Sequence, residues 1–296
     1  YSQTDKINSG DLLSSMTEML TAANDFLGTF PVDRYTFLFH FEDQKNAGAW
    51  EHSYSSEYIY NESDYMDNAG EKITATAAHE FFHIITPLNI HSEIIEQFNF
   101  VTPTPSEHLW LYEGTTEWAS DFMQFRGGLI DTTQLFTELQ TKLKYNDYFS
   151  ADYSLSQLAM NSFTTEGNKQ YYNIYCRGAI VAGLLDILLL DLSNGEKGLR
   201  ELVNNLSVKY GPKRAFPESD IFNIITEMTY PEVKEFFEKY VKSSESLPLK
   251  EYYNKIGIDY FEVKTIDGED VKHVFQINTQ ATPQQLRLRE IWSSNL

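Results

Sequence analysis

The chain has 296 residues, a length that indicates two compact bodies or one large two-lobed body. With 42% hydrophobic and 22% charged residues and no apolar run of 18 residues, the composition is typical of a soluble globular protein and excludes a disordered or membrane-spanning chain. The 43 acidic residues outnumber the 23 basic ones, and the resulting net charge of −20 repels phosphate backbones and anionic lipids, so nucleic acid is not an expected partner.

The cysteine content and the first residue bear on the compartment. Cys176 is the single cysteine and cannot form an internal disulfide, so the fold neither requires nor excludes an oxidising compartment. The chain begins at a tyrosine and shows no signal peptide, so we expect a processed or truncated piece of a longer product. Such a piece is compatible with a periplasmic or secreted location, and the sequence leaves compartment and oligomeric state open.

The N-terminal third mixes helix and strand signals. Residues 9–27 carry apolar side chains at helical spacing, and Gly28 and Pro31 end that helix. Alternating or aromatic-rich runs at residues 35–41 and 50–60 predict strands of a sheet. A second helical pattern covers residues 71–86 and is closed by Pro87.

From residue 106 onward the chain is predicted to be mainly helical. Ser106 is a candidate cap for a helix that runs to about residue 126, where Gly127 and Gly128 supply the stop. Further helices are predicted at about residues 131–144, 177–192, 196–210, 220–229 and 231–242. The most apolar run, residues 179–192, is interrupted by Asp186 and Asp191, which predicts a buried helix.

The tail and the domain boundaries follow from these elements. Residues 260–265 and 271–277 flank Asp267 and Gly268, a hairpin-turn signal, and residues 282–292 predict a last short helix. We therefore expect a helix and sheet lobe at 1–105, a helical lobe at 106–257 and a small hairpin and helix tail at 258–296.

His79, Glu80 and His83 form an H-E-x-x-H pattern inside the predicted helix at 71–86. Residues four apart lie one turn apart on one helix face, so the two imidazoles are spaced to bind one zinc ion while Glu80 lies beside them. The alternative is a pair of partly exposed histidines flanking a salt-bridging glutamate.

A hydrolytic zinc ion needs a third protein ligand and one open position for water. Glu113 is the best candidate for that ligand, because it lies on the next predicted helix and the following Gly114 permits close helix approach. Glu117 shares its face and is expected to orient a zinc-bound histidine, although it could also be the ligand itself. His91 and His108 are weaker rivals, for which an ordinary surface histidine is the simpler interpretation.

These motifs resemble those of the gluzincin metallopeptidases, and in particular of the glycyl aminopeptidase family. The resemblance rests on HEFFH, on EGTTEW thirty residues later, and on the segments FPVDRYTFLF, GAWEHSYSS, YCRGAIVAGLLDILL and YVKSSESLPLKEYYNKIGI. It covers roughly residues 25–260. It implies an α+β, thermolysin-like catalytic domain with a mixed helix and sheet lobe, a mainly helical lobe, and one zinc ion per chain between them.

The resemblance also implies roles for residues that spacing alone does not reveal. Tyr175 matches the tyrosine whose hydroxyl stabilises the tetrahedral intermediate. Glu51 matches the glutamate that holds the substrate's amino group in the related aminopeptidase N family, and Gly48 opens the same Gly-x-x-Glu-His segment and is expected to contact substrate. Without the resemblance, a tyrosine packed in the helical lobe and a surface glutamate are the simpler interpretations.

Some features depart from the family pattern. Residues 84–89 lack its Trp-Asn and basic residues, which leaves the substrate-side wall and the specificity open. From the residues of this sequence we expect neither the family's N-terminal β-domain nor a PDZ domain after Ile258.

The sequence predicts a zinc metallopeptidase, with an aminopeptidase acting on short neutral or basic peptides as the first hypothesis. Glu80 would be the general base and Tyr175 the oxyanion donor. The alternatives are a zinc endopeptidase and a catalytically silent binding module on the same scaffold. Glu51 distinguishes the aminopeptidase hypothesis from the endopeptidase hypothesis.

Overall fold

Helices predominate in the computed structural model, which describes residues 1–28, 32–43, 47–264 and 271–294. The helices are α1 (Ser9–Leu27), α2 (Ala69–Phe82), α3 (Glu93–Glu96), a π-helical turn (Trp110–Gly114), α4 (Thr115–Arg126), α5 (Thr132–Tyr148), α6 (Leu155–Met160), α7 (Thr165–Gln170), α8 (Asn173–Leu192), α9 (Leu199–Lys209), α10 (Ile221–Met228), α11 (Glu232–Tyr240), α12 (Leu249–Lys255) and α13 (Pro283–Ser293). The strands are β1 (Thr36–Phe41), β2 (Gly48–His52), β3 (Ser55–Tyr60), β4 (Ile258–Lys264) and β5 (Val271–Ile277). The predicted mixture of helix and sheet is therefore present.

The first sheet has the strand order β1-β3-β2, with β1 parallel and β2 antiparallel to the central β3. Alternate residues of β3 are buried, as expected for a strand with one face against a core. Tyr58 stacks on Phe39 at 4.4 Å between ring centroids, and Phe37 packs against Phe81 of α2. This packing places the sheet against α2, and the edge strand β2, which pairs with β3, also contacts α2.

Helix α2 ends four residues earlier than the sequence predicts, at Phe82 and not at residue 86. His83 is its C-terminal cap. The next residues form turns: the backbone N–H of Leu88 donates to the carbonyl of His83, and the Nδ1 atom of His83 lies 2.9 Å from the carbonyl of Thr86. Because proline disfavours helical geometry in the residue before it, Thr86 could not continue the helix.

The helix predicted at 106–126 begins later and is not uniform. The Ser106 hydroxyl oxygen accepts a hydrogen bond from the His108 backbone N–H at 3.2 Å, but the first regular turn, Trp110–Gly114, is π-helical. Gly114 lies against Gly178 of α8, and a Cβ added to Gly114 would come within 2.7 Å of that backbone. The expected close approach of Gly114 is therefore made to α8 and not to α2.

Helix α8 is the centre of the helical half. It packs against α4, α5, α9 and α12, and most of its side chains are buried. Asp186, inside it, pairs with Arg126 at 3.1 Å and accepts the Leu199 backbone N–H. Within the described residues it is the one helix long and apolar enough to cross a membrane, and 94% of that stretch is buried inside the protein. The predicted buried helix is confirmed.

The tail packs onto the helical half. Strand β5 contacts α5, β4 contacts α12, and α13 contacts α8. His273 of β5 connects the tail to the helical half through hydrogen bonds with Tyr260 of β4 and, at 2.9 Å, with Asp147 of α5. The predicted turn at Asp267 and Gly268 lies outside the described residues, and the division into domains stays a prediction.

Candidate metal centre and active-site cleft

His79 of α2 and His83, the C-terminal cap of that helix, lie side by side with ring centroids 4.9 Å apart. Each ring has its Nδ1 atom engaged: His79 Nδ1 lies 2.7 Å from Glu117 Oε2, and His83 Nδ1 lies 2.9 Å from the carbonyl of Thr86. A histidine whose Nδ1 proton is donated to an acceptor exposes the Nε2 lone pair, which is the usual state of a metal-ligating histidine.

Glu113, on the π-helical turn, completes the cluster. Its Oε2 atom lies 3.4 Å from His79 Nε2 and 3.5 Å from His83 Nε2. That oxygen is buried without a hydrogen-bond partner, and the three candidate donor atoms all lie within 4.8 Å of one another. Two imidazoles and one carboxylate, with an orphaned oxygen facing them, fit a zinc ion.

The charges in this cluster shift the pKa values of His79 and Glu113. Burial lowers the pKa of His79, but Glu113 and Glu117 outweigh that effect and leave the pKa well above its ordinary value. Burial raises the pKa of Glu113, while His83 and His79 outweigh it and hold the pKa below its ordinary range. The cluster therefore favours one positive charge beside ionised carboxylates, which is also what a bound cation requires.

Glu117 is tied into a polar network behind His79. Its second oxygen, Oε1, lies 2.7 Å from the Nζ atom of Lys142, which also contacts Asp121 at 3.0 Å. Because Glu117 contacts His79 on the Nδ1 side, away from Glu113, the geometry favours it as an orienting group and not as a metal ligand. Burial raises the pKa of Asp121 to about 6 despite the Lys142 charge.

Sequence reasoning missed Lys142. It lies on α5 at the position where the buried series Leu135 and Leu139 predicts another apolar residue. A lysine on the apolar face of a helix is a detectable signal, because such a residue is buried only when it is paired.

Glu80 and Glu51 face the same cleft from α2 and β2. Carboxylate oxygens of both lie within 4.8 Å of each other and of a His83 ring nitrogen. Burial raises the pKa of Glu80 and, together with the charge of Glu51, outweighs the opposing charges of His83 and His79, so that the pKa is about 7. The Tyr35 hydroxyl donates to the Glu80 carbonyl at 3.2 Å and helps to fix this residue.

Tyr175 enters the cleft from α8. Its ring centroid lies 5.6 Å from that of His79, and burial followed by the charge of Glu113 raises its hydroxyl pKa far above the ordinary value. Tyr171, one turn earlier, has its ring 5.9 Å away and also lines the cleft. Tyr171 was missed, although its spacing of four from Tyr175 was a visible signal.

The cleft encloses about 610 Å³ and is lined from α2, β2, α4, α8 and the π-helical turn. His79, Glu80, His83, Glu113, Glu117, Glu51 and Tyr175 all line it. Gly48 does not, and the ring of Trp50 lies 3.0 Å from where its Cβ would be.

His91 and His108 lie outside the cleft lining, and both are buried, so their interpretation as surface residues is wrong. Each makes a hydrogen bond to a backbone carbonyl, of Pro87 and Glu218 respectively.

Comparisons with known proteins agree with this description. Residues 72–181, which include all three candidate ligands and Tyr175, match the model of the M61 glycyl aminopeptidase family. The match confirms the resemblance to a peptidase family that the motifs indicate. The fold is similar to the crystal structure of an aminopeptidase N family protein from Idiomarina loihiensis, with a TM-score of 0.75 and 19% identity over 88% of this chain. The present chain spans 46% of that chain's length. No curated protein sequence matches it.

Proposed function

We propose that this chain, which resembles the glycyl aminopeptidases in sequence and an aminopeptidase N family protein in fold, is a zinc-dependent aminopeptidase. The observation that carries the proposal is the convergence of His79 Nε2, His83 Nε2 and the unpartnered Glu113 Oε2, with both Nδ1 atoms engaged elsewhere. The proposal includes a gluzincin arrangement, in which the zinc site lies between the helix and sheet region and the helical region.

His79, His83 and Glu113 would hold the ion, and Glu117 would keep the His79 ring in its ligating orientation. When bound, zinc supplies Lewis acidity, which brings the pKa of a coordinated water down to about 7 and polarises a substrate carbonyl. A set of three protein ligands would leave an open position on the ion for this chemistry.

Glu80 is the general base in this proposal. Burial raises its pKa above the ordinary value for a glutamate, which brings it closer to that of an efficient base near neutral pH. It accepts the proton of the attacking water and delivers it to the departing amine. The raised pKa of the Tyr175 hydroxyl keeps it protonated, so that it donates a hydrogen bond to the developing oxyanion.

Glu51 supports the choice of aminopeptidase over endopeptidase. It lies on the edge strand β2, with its carboxylate close to Glu80 and His83, so a free amino terminus bound there is one residue from the reacting carbonyl. A carboxylate in a partly dehydrated cleft forms a strong pair with an ammonium group, and the removal of one partner costs about 2–5 kcal/mol.

The test uses the zinc-loaded protein and a short peptide with and without an N-terminal acetyl group. Wild type is expected to cleave the free peptide and not the acetylated one, and Glu51→Ala to lose that preference. Glu57→Ala, on the neighbouring β3, is the matched control, because Glu57 does not line the cleft.

The outcomes separate the alternatives. Equal cleavage of both peptides by wild type makes the chain an endopeptidase. No cleavage of any peptide by a protein that holds one zinc ion per chain supports the binding module, and failure to bind zinc refutes the metal site.

A further inference from the structure

A second cavity of about 570 Å³ lies on the helical side of the molecule, away from the candidate zinc ligands. Its walls come from the end of α5 and the residues after it, the start of α8, residues 244–249 and the β4-β5 hairpin. This volume is that of a small-ligand site, and the proposed reaction uses none of its residues.

Arg177 of α8 lines this cavity without a counter-charge. Its residue exposure is 8%, its Nη2 atom donates to the Glu245 carbonyl at 2.7 Å, and its buried Nε atom has no acceptor. No carboxylate of the described residues forms an ion pair with it. Burial lowers its pKa to about 10, and no other group is a cause of that shift, so it is still charged at neutral pH. Buried charges are normally paired, which makes this an exceptional residue.

The surrounding groups favour a singly charged anion. Lys144 adds a second cation, and the buried Asn173 Oδ1 atom, which has no hydrogen-bond donor, can accept a hydrogen bond from a peptide N–H next to a bound carboxylate. Asp147 and Glu262 also line the cavity, but each already has a partner, His273 and Tyr260 respectively. The two acids would repel a phosphate dianion more than a carboxylate, while the planar guanidinium matches a carboxylate.

A row of tyrosine rings connects this cavity with the zinc cleft. Tyr172 lines the cleft and stacks on Tyr175 at 5.9 Å; Tyr145 lies 5.6 Å from Tyr172 and 6.4 Å from Tyr148, which lines the cavity. Tyr145, Tyr148 and Tyr172 are 44%, 67% and 53% exposed. Exposed aromatic rings provide contact area for a peptide at little entropic cost.

From these observations we infer that the Arg177 cavity binds the C-terminal carboxylate of a short peptide whose amino end occupies the zinc cleft. The inference rests on the proposed function and adds a substrate class to it. The three ring-to-ring steps cover at most about 18 Å, which an extended peptide of no more than about six residues at about 3.3 Å each can span. Peptides of about four to six residues therefore engage both sites, whereas a dipeptide reaches one.

The experiment compares alanine peptides of two to seven residues that carry either a free C-terminal carboxylate or a C-terminal amide. Wild-type, zinc-loaded protein is expected to show a KM at least about tenfold lower for the free acid at four to six residues, because a charge-assisted hydrogen bond is lost in the amide. Dipeptides are expected to show no effect of this site. Equal KM values for acid and amide at every length overturn the inference without any variant.

Variants then assign the effect. Arg177→Met is expected to bring the acid-to-amide ratio to about one while amide kinetics stay unchanged, and Arg177→Lys to restore part of the preference. Arg214→Met, an exposed arginine that lines neither the cleft nor the cavity, is the matched control and is expected to behave as wild type. A preference that survives in folded Arg177→Met refutes the assignment.

Calorimetry separates this inference from the proposed function. Zinc-loaded Glu80→Gln is titrated with penta-alanine and its amide, so that binding is measured without turnover. Tighter binding of the free acid that disappears with Arg177→Met supports the cavity site even if wild type hydrolyses no peptide. Equal binding of acid and amide by a protein that does hydrolyse peptides refutes the cavity site alone.

Discussion

Lys142→Met tests the polar network behind His79. The Lys142 ammonium group contacts Glu117 at 2.7 Å and Asp121 at 3.0 Å, and its side chain is only 10% exposed. Methionine keeps most of the volume but removes the charge, which leaves two buried carboxylates without their cation. Removal of one partner of a buried ion pair costs about 3–5 kcal/mol, so we expect the free energy of unfolding in urea to fall by about that amount near pH 8.

The penalty depends on pH. In wild type, burial raises the pKa of Glu117, but Lys142 and His79 outweigh it and hold the pKa below its ordinary range. In the variant, the two neighbouring carboxylates raise each other's pKa above the value in the unfolded chain. A carboxyl group whose pKa is higher in the folded than in the unfolded chain contributes fully to stability at a pH below the unfolded pKa. That contribution is lost as the pH rises through the folded pKa. The destabilisation is therefore expected to be smaller at pH 5 than at pH 8.

Zinc affinity is the second measurement on the same variant. Loss of a partner behind a ligating histidine typically weakens metal binding by about 10- to 100-fold, and we expect about tenfold here because Glu117 itself remains. Competition with a chromophoric chelator measures it. Lys234→Met, at an exposed position of α11, is the control and should change stability by less than about 0.5 kcal/mol. Unchanged denaturation and zinc affinity in Lys142→Met would refute the reasoning.

Three further substitutions test the reaction and its scaffold. Glu80→Gln is expected to retain about one zinc per chain by elemental analysis but to lose peptidase activity, and activity within a few fold of wild type contradicts its role as base. Tyr175→Phe should lower kcat by about ten- to a thousandfold with KM and thermal stability little changed; unfolding would instead indicate a packing role. Gly114→Ala places a Cβ 2.7 Å from the Gly178 backbone, so we expect about 1–3 kcal/mol of destabilisation and weaker zinc binding through displaced Glu113, with calorimetric melting as the check.

The sequence predicts the parts of this site that depend on local periodicity. His79 and His83 are four residues apart on a patterned helix, so their common face follows from helix geometry alone. The apolar run inside α8 likewise predicts burial. The spacing of the next helix and the family resemblance both indicate Glu113, which lies 3.4 Å from His79 and 3.5 Å from His83, and its role as a ligand stays a prediction.

The parts that depend on tertiary contacts could not be predicted in the same way. The π-helical turn that carries Glu113 is formed where Gly114 meets Gly178, sixty-four residues away in sequence, and no local pattern reports such a contact. Lys142 belongs to the site because α5 packs against α4, which carries Glu117 and Asp121, as well as against α8. Its burial is visible in the helix pattern, but its partners are not.

Helix α8 relates the zinc cleft to the Arg177 cavity. Residues two apart on a helix differ by about 200° in direction, so Tyr175 and Arg177 face opposite sides of the same helix. Because the body of α8 is enclosed by its neighbours, a ligand that touches both side chains has to pass around the helix's N-terminal end. Tyr172 caps that end and is half exposed, and its ring contacts Tyr175 on one side and Tyr145 on the other. The tyrosine row thus lies at the N-terminal end of α8, where the packing leaves room for a ligand to pass from one site to the other.

A rigid buried helix also fixes the distance between the two sites. The inferred preference should therefore depend on peptide length and not only on terminal charge.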